Sequence, residues 1–373
     1  MIKPYRLIFY LILVFFLTAA AMGCQKETVA GVSGAGEHYR GGAEKNENVG
    51  KDSYAGKYVG YSWRGEARGV AFKDANQYVE TILELDDDGI IVGAKINFFT
   101  KIDGFWTMRQ SGHALVIADY SVDPEPAVPG ENYRPGKSMF TICTVDRMSF
   151  YAVGVDQSGV VAVAVVDPIT RYQFEMKFPA GFDFSRIMGE MTIGSGHTVP
   201  TVRTSGSGFL RPDTWERYSD KTIFNVYKPW SWVLNLYGPL KGIDNDNTVK
   251  TFLEALGVTF DNGRPQPMKV AYGYFGIGGW NGNARALEAY LIGRDAKTFT
   301  SLVDWSEPRY ANAINDKNQF GVDVRTGATR TVQNSFDGVS GATVRISREA
   351  TSYQRALVAA GILKESDVII GRF

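Results

Sequence analysis

Cysteine and histidine are scarce: the 373 residues contain two Cys and three His. Two thiols cannot build a disulfide framework or a four-thiolate metal site, and no Cys-x-x-Cys-His haem attachment sequence occurs, so any redox chemistry needs another cofactor. His38, His113 and His197 stand apart in the sequence and form no metal-ligand spacing, which leaves them solvent or hydrogen-bonding roles. Charge of one sign is missing too. Lys plus Arg number 40 against 40 Asp plus Glu, so there is no electrostatic footprint for gripping phosphate backbones, and no nucleic-acid partner is expected. A Gly-x-Ser-x-Gly elbow on a strand-to-helix turn, with acid and His following, is also lacking. No catalytic residue is assigned.

What is present begins with an address. Lys3 and Arg6 precede the apolar run Leu7 to Leu17, then the small-residue stretch Thr18 to Gly23, then Cys24. This pattern is that of a secretory signal. The run is shorter than the roughly 20 residues of a membrane span. Ala21, Met22, Gly23 and Cys24 resemble a bacterial lipobox, which implies cleavage after residue 23 and a lipid anchor on Cys24. Several acyl chains hold a protein stably on a bilayer where one is marginal. The expected location is the bacterial cell envelope, outside the cytoplasm.

The organisation of the exported part follows from composition and periodicity. Residues 24–55 are rich in Gly, Ala, Ser, Glu, Lys and Asn and lack apolar periodicity. They read as a flexible tether with a reach on the order of 30 Å. Residues 56–200 are expected to form a β-rich domain. Lys57 to Trp63 alternates, and Gln77 to Leu85 and Ile90 to Phe99 flank a turn at Asp86 to Gly89. Further strands are expected at Ser138 to Val145, Ser149 to Val155, Gly159 to Val166 and Arg171 to Phe178, as in an antiparallel meander. Cys143, inside the apolar run Met139 to Val145, reads as a buried, inert residue.

Residues 201–373 read as mixed α and β, giving an α+β chain with a β-rich N-terminal half and an antiparallel sheet. Asp246 or Asn247 is placed to cap a short helix holding Val249, Phe252, Leu253 and Leu256, with Gly257 ending it. Met268 to Phe275 and Leu287 to Ile292 are expected strands. A last helix is expected from Arg348 to Ala360, stopped by Gly361.

Directly before that helix stands Asp337, Gly338, Val339, Ser340, Gly341, Ala342, Thr343. The stretch resembles the flavinylation site of the FMN-binding domain family, found in the C subunit of sodium-pumping NADH:quinone oxidoreductases and the G subunit of Rnf complexes. The resemblance implies covalent FMN, its phosphate joined to the Thr343 hydroxyl by a flavin transferase that reads Asp337, Ser340, Gly341 and Ala342. The family often has Thr or Ser two residues beyond the acceptor, where Arg345 stands here. A second copy, with Asp323, Thr326, Gly327, Ala328 and Thr329, carries Thr331 at that position and fits the extended pattern better. It lacks a long helix behind it, so Thr343 and Thr329 both remain candidate acceptors. The opening hairpin, Lys57 to Gly60 and Gly89 to Ile91, also resembles the first strands of that domain, which places the domain's two ends far apart in sequence.

The residue types suit the chemistry. A Thr hydroxyl forms a phosphoester, Gly341 and Ala342 allow close approach to it, and a helix N-terminus favours the remaining negative charge. The implied function is membrane-anchored electron transfer between redox proteins or a quinone and an extracytoplasmic acceptor. The rival reading is a non-redox envelope lipoprotein whose β-rich half binds a ligand or partner. Tyr274, Phe275 and Trp280 are candidates to stack on the flavin ring, with core packing as the plainer role. The glycine-rich stretch Gly276 to Gly282 lacks dinucleotide-loop spacing and reads as a hairpin or bulge loop. Asp86 to Asp88 read as a turn, and Asp244 and Asp246 as cap residues rather than calcium ligands.

Overall fold

The computed structural model describes residues 53–131, 135–168, 170–204, 210–226, 234–235, 237–276, 278–302 and 347–371. The expected signal, Cys24, the tether and both threonine motifs lie outside these residues. Among the described residues no helix is long and apolar enough to cross a membrane.

In chain order the strands are β1 Gly56–Trp63, β2 Gln77–Leu85, β3 Ile91–Ile102, β4 Phe105–Met108, β5 Ala114–Ala118, β6 Phe140–Thr144, β7 Phe150–Val155, β8 Val161–Val166, β9 Tyr172–Phe178 and β10 Val199–Arg203. Helix α1 Val249–Ala255, the short hairpin β11 Phe260–Asp261 and β12 Arg264–Pro265, strand β13 Met268–Tyr274, helix α2 Gly279–Leu291 and helix α3 Ser347–Ala359 follow. The class is α+β, with the β-rich part N-terminal and a helix near the C-terminus, as the sequence implies.

The first sheet runs β1-β2-β3-β4, all antiparallel. Period-two alternation decides its faces: Val79, Leu83, Leu85, Ile91, Ile96 and Phe98 are buried with residues of α2 and α3. The turn between β2 and β3 is built as the aspartates suggest. The Asp86 side chain accepts from the amides of Asp88 (3.1 Å) and Ile90 (2.8 Å), and Gly89 takes a φ of 82°.

Helix α3 lies on β1 and β2, so segments from opposite ends of the sequence share one layer. Gly60 permits it. A Cβ there would collide with the backbone of Ser352 and Ala356, while Thr81 Oγ1 and Ser352 Oγ hydrogen bond at 2.7 Å beside it. Gly361, at φ 75°, ends the helix as its sequence position implies.

The second sheet runs β10-β9-β8-β7-β13, also antiparallel. Strand β8, VAVAVV, is buried along its whole length. Its valines at 161, 163 and 165 face a core with α1, while Ala162, Ala164 and Val166 face a second core with Met139, Phe140 and Ile142. Both faces are covered, as an uninterrupted apolar strand requires. Strand β13 pairs with β7, so the sheet draws on both sides of a boundary near residue 200. By contact the described residues all fall in a single unit.

Three local expectations are corrected. Leu287 to Leu291 is helix, not strand, with Ile292 its extended C-cap: Trp280, Ala284, Leu287 and Leu291 are buried at helical spacing, and this pattern outweighs the short apolar run that suggests a strand. Thr248, not Asp246 or Asn247, caps α1, accepting from the Thr251 amide at 3.1 Å. Asn247 and Asp244 instead close the preceding turn. Cys143 is half-buried, on the face of β6 opposite to buried Phe140 and Ile142 and paired with exposed Leu115, and it is disulfide-bonded rather than an inert, buried thiol.

Candidate functional site

Asp337, Ser340, Gly341, Ala342 and Thr343, and the second set Asp323, Thr326, Gly327, Ala328 and Thr329, lie outside the described residues. The described neighbour of the first set is the opening turn of α3. There Arg348 and Glu349 are buried and paired, Nε to Oε1 at 2.9 Å, and the Arg348 carbonyl accepts from Ser62 Oγ at 2.6 Å.

Arg348 does not stand alone. Its guanidinium carbon lies 4.5 Å from the Phe98 ring centre and 4.7 Å from that of Trp280. The Arg109 guanidinium covers the same two rings at 5.1 and 4.7 Å. Phe98 and Trp280 are themselves 5.3 Å apart. Two cations thus share one aromatic pair, an arrangement favourable for each cation with the rings and unfavourable between the cations. Arg109 is held there by its neighbour: Gln110 accepts from the Phe98 amide (3.0 Å) and donates to the Ile96 carbonyl (2.8 Å), clamping the turn to β3.

Asp146 closes the cluster from below. It is 1% exposed and accepts from the amides of Met148 (3.0 Å) and Trp280 (2.8 Å). The second bond satisfies the opening turn of α2, where no side-chain cap exists and a carboxylate complements the helix dipole. Gly279 makes this possible: at φ 64° it passes so close that a Cβ would lie 2.7 Å from the Asp146 carboxylate. The glycine-rich stretch is therefore the opening of a helix, correcting the expectation of a hairpin or bulge loop. Arg171, on the β8–β9 turn at φ 66°, lies within electrostatic reach of Arg348 and Asp146.

Burial governs the protonation of these groups. It lifts the Asp146 carboxyl to about 6 against the pull of its two amide donors and Arg109. It raises Glu349 despite Arg348. It lowers Arg109 to about 10, and Arg348 adds to the effect. Arg171 is lowered as well, again chiefly by burial. Three polar atoms in the cluster are buried with no hydrogen-bond partner: Arg109 Nε, Asn283 Oδ1 and Glu349 Oε2. Chemically, the cluster offers guanidinium donors beside an aromatic surface to an anionic group.

The remaining aromatic candidates have core roles. Phe275 is fully buried in the core of the second sheet, and Tyr274 packs edge-on against Phe150 at 5.5 Å. Trp280 is packed against the first sheet, with the two arginines over it. On the opposite face of that sheet lies an aromatic row: Tyr61, Trp63, Phe72, Tyr78, Phe99 and Trp106, with Tyr78 stacked on Phe99 at 4.6 Å. His197 sits against Arg186 (3.4 Å) and Phe182, and His113 is exposed. No metal-binding group of His, Cys, Asp or Glu occurs among the described residues.

The sequence reading misses Arg109, Arg171, Asp146 and Phe98. No local pattern joins residues that meet only because two sheets and two helices converge. Only the glycines before Trp280 hint at a close approach. No protein-family model, no curated protein and no solved structure matches the chain.

Proposed function

We propose that the chain is a membrane-tethered, extracytoplasmic flavoprotein that carries FMN joined through its phosphate to Thr343 or Thr329 and transfers electrons between redox partners or a quinone. The observation that carries this reading is the DGVSGAT stretch set a few residues before α3, a helix whose opening turn belongs to a buried arginine cluster. The chain's own groups suit such a cofactor: Arg109 brings a buried donor without an acceptor, and Arg348 adds a second guanidinium beside it. When bound, FMN supplies the ability to pass one or two electrons; the protein supplies position and polarity. A covalent link also keeps the cofactor where free FMN is scarce. A micromolar non-covalent site, worth about 8 kcal/mol, empties on dilution.

Expression with a flavin transferase tests the reading. The expected product is yellow, with fluorescence that survives denaturation and is lost from Thr343→Val, from Thr329→Val, or in part from each. If both single variants keep the full denaturation-resistant flavin, the site assignment is wrong. A second reading has one observation in its favour. The aromatic row on the outer face of the first sheet suits a binding module without redox chemistry, and a colourless product from a competent host supports it.

A further inference from the structure

We propose that Arg109, together with Arg348 and Arg171, forms a phosphoryl-binding site that holds its ligand without a covalent bond. The choice of a flavin nucleotide as the source of that phosphoryl group rests on the function proposed above.

Arg109 carries the argument. A guanidinium has five N–H donors and normally finds a carboxylate or phosphate where part of it is withdrawn from water, as Nε of the half-buried Arg109 is. Among the described residues Arg109 makes no hydrogen bond or ion pair, and its Nε is buried without an acceptor. Its contacts are the faces of Phe98 and Trp280, shared with a second cation. Two carboxylates stand nearby, and neither makes an ion pair or hydrogen bond with Arg109. Asp146 gives one oxygen to the Met148 amide and the other to the Trp280 amide, and Glu349 gives Oε1 to Arg348. Glu349 Oε2, buried and without a donor, repels an anion, as does Asp146.

Two further points narrow the ligand. The opening amides of α2 do not form the site, because Asp146 occupies the Trp280 N–H. Charge limits the ligand as well. Arg109, Arg171 and Arg348 face Asp146, Glu349 and, beside Arg171, Asp167. A cluster so balanced offers no excess charge to draw an anion from a distance, so recognition falls to direct guanidinium hydrogen bonds with the phosphoryl oxygens.

The test uses the full chain carrying both Thr329→Val and Thr343→Val, which has no covalent flavin. FMN, riboflavin and inorganic phosphate are titrated against it at constant ionic strength, with melting temperature and flavin fluorescence as readouts and chloride as control. FMN is expected to bind at least about tenfold tighter than riboflavin, the scale of one to two charge-assisted hydrogen bonds. Arg109→Gln should abolish the difference, and Arg109→Lys should retain part of it. Inorganic phosphate should raise the melting temperature more than chloride does. Equal affinity for FMN and riboflavin, or an undiminished preference in a folded Arg109→Gln chain, overturns the proposal. Stabilisation by phosphate with no preference for FMN overturns the choice of a nucleotide. Phosphoryl binding in a chain that never acquires covalent flavin leaves this site standing and removes the electron-carrier reading.

Discussion

Two charged groups, one in each sheet, are treated in opposite ways. In the second sheet Glu175 is fully buried, yet it accepts from Ser138 Oγ, the Met139 amide (2.7 Å), Gln173 Nε2 (2.7 Å) and Thr201 Oγ1 (2.8 Å). Every lone pair it needs to fill is filled, and the group pins β9, β10 and the approach to β6. In the corner of the first sheet Arg109 is half-buried beside another arginine, and its buried Nε has no acceptor. A satisfied buried charge is architecture, whereas an unsatisfied one is kept at a cost to stability and points to a ligand. The second sheet, sealed on both faces, is the scaffold. The first, with helices on one side and a half-exposed aromatic row on the other, holds the candidate site.

The comparison breaks if the two charges respond alike to removal. Glu175→Ala leaves four donors without their acceptor and is expected to cost about 4 kcal/mol, read from the urea midpoint. Gly60→Ala attacks the other region by placing a methyl group against the α3 backbone, at an expected cost of about 3 kcal/mol. Hydrogen exchange should then show the α3 amides opening while those of β8 stay protected. If β8 loses protection equally, the two regions are one cooperative unit and the contrast between them fails.

Asp146 sharpens the contrast through pH. Burial raises its carboxyl from 3.8 to about 6 in the folded chain, so between these values the folded state holds more protons than the unfolded one. Stability is expected to rise, by up to roughly 2.5 kcal/mol from this group, as pH falls from about 6 toward 4. Asp146→Asn, neutral throughout, should flatten that part of the curve. It should also lower the baseline, because one amide oxygen replaces two carboxylate acceptors. The smallest effect is expected for Arg109→Gln. Relief from burial and from Arg348 offsets the lost ring contacts, leaving a change of about 1 kcal/mol or less in urea unfolding.

The sequence makes the scaffold plain and the candidate site obscure. VAVAVV can only be a strand covered on both sides, and Asp-Asp-Asp-Gly between two alternating runs can only be a turn. Arg348 to Ala360 ends at a glycine and is helical almost as expected. Helix α2 is missed because its apolar residues from Leu287 onward are clustered enough to suggest a strand, while the buried Trp280 and Ala284 lie among glycines and asparagines that suggest a loop. The cap of α1 is missed by one or two residues because Asp246, Asn247 and Thr248 are all capable caps, and only the Thr248 side chain reaches the Thr251 amide. The arginine cluster is invisible in one dimension. Phe98, Arg109, Asp146, Arg171, Trp280 and Arg348 meet through tertiary packing, with no spacing that announces it.

The central claim is tested most directly by mass spectrometry of tryptic peptides spanning residues 323–343, from protein purified out of its native envelope. The account predicts a peptide containing Thr343 or Thr329 that is heavier by one FMN less one water, with flavin fluorescence that persists after denaturation. Unmodified masses for both threonines, in protein that is colourless, would contradict it.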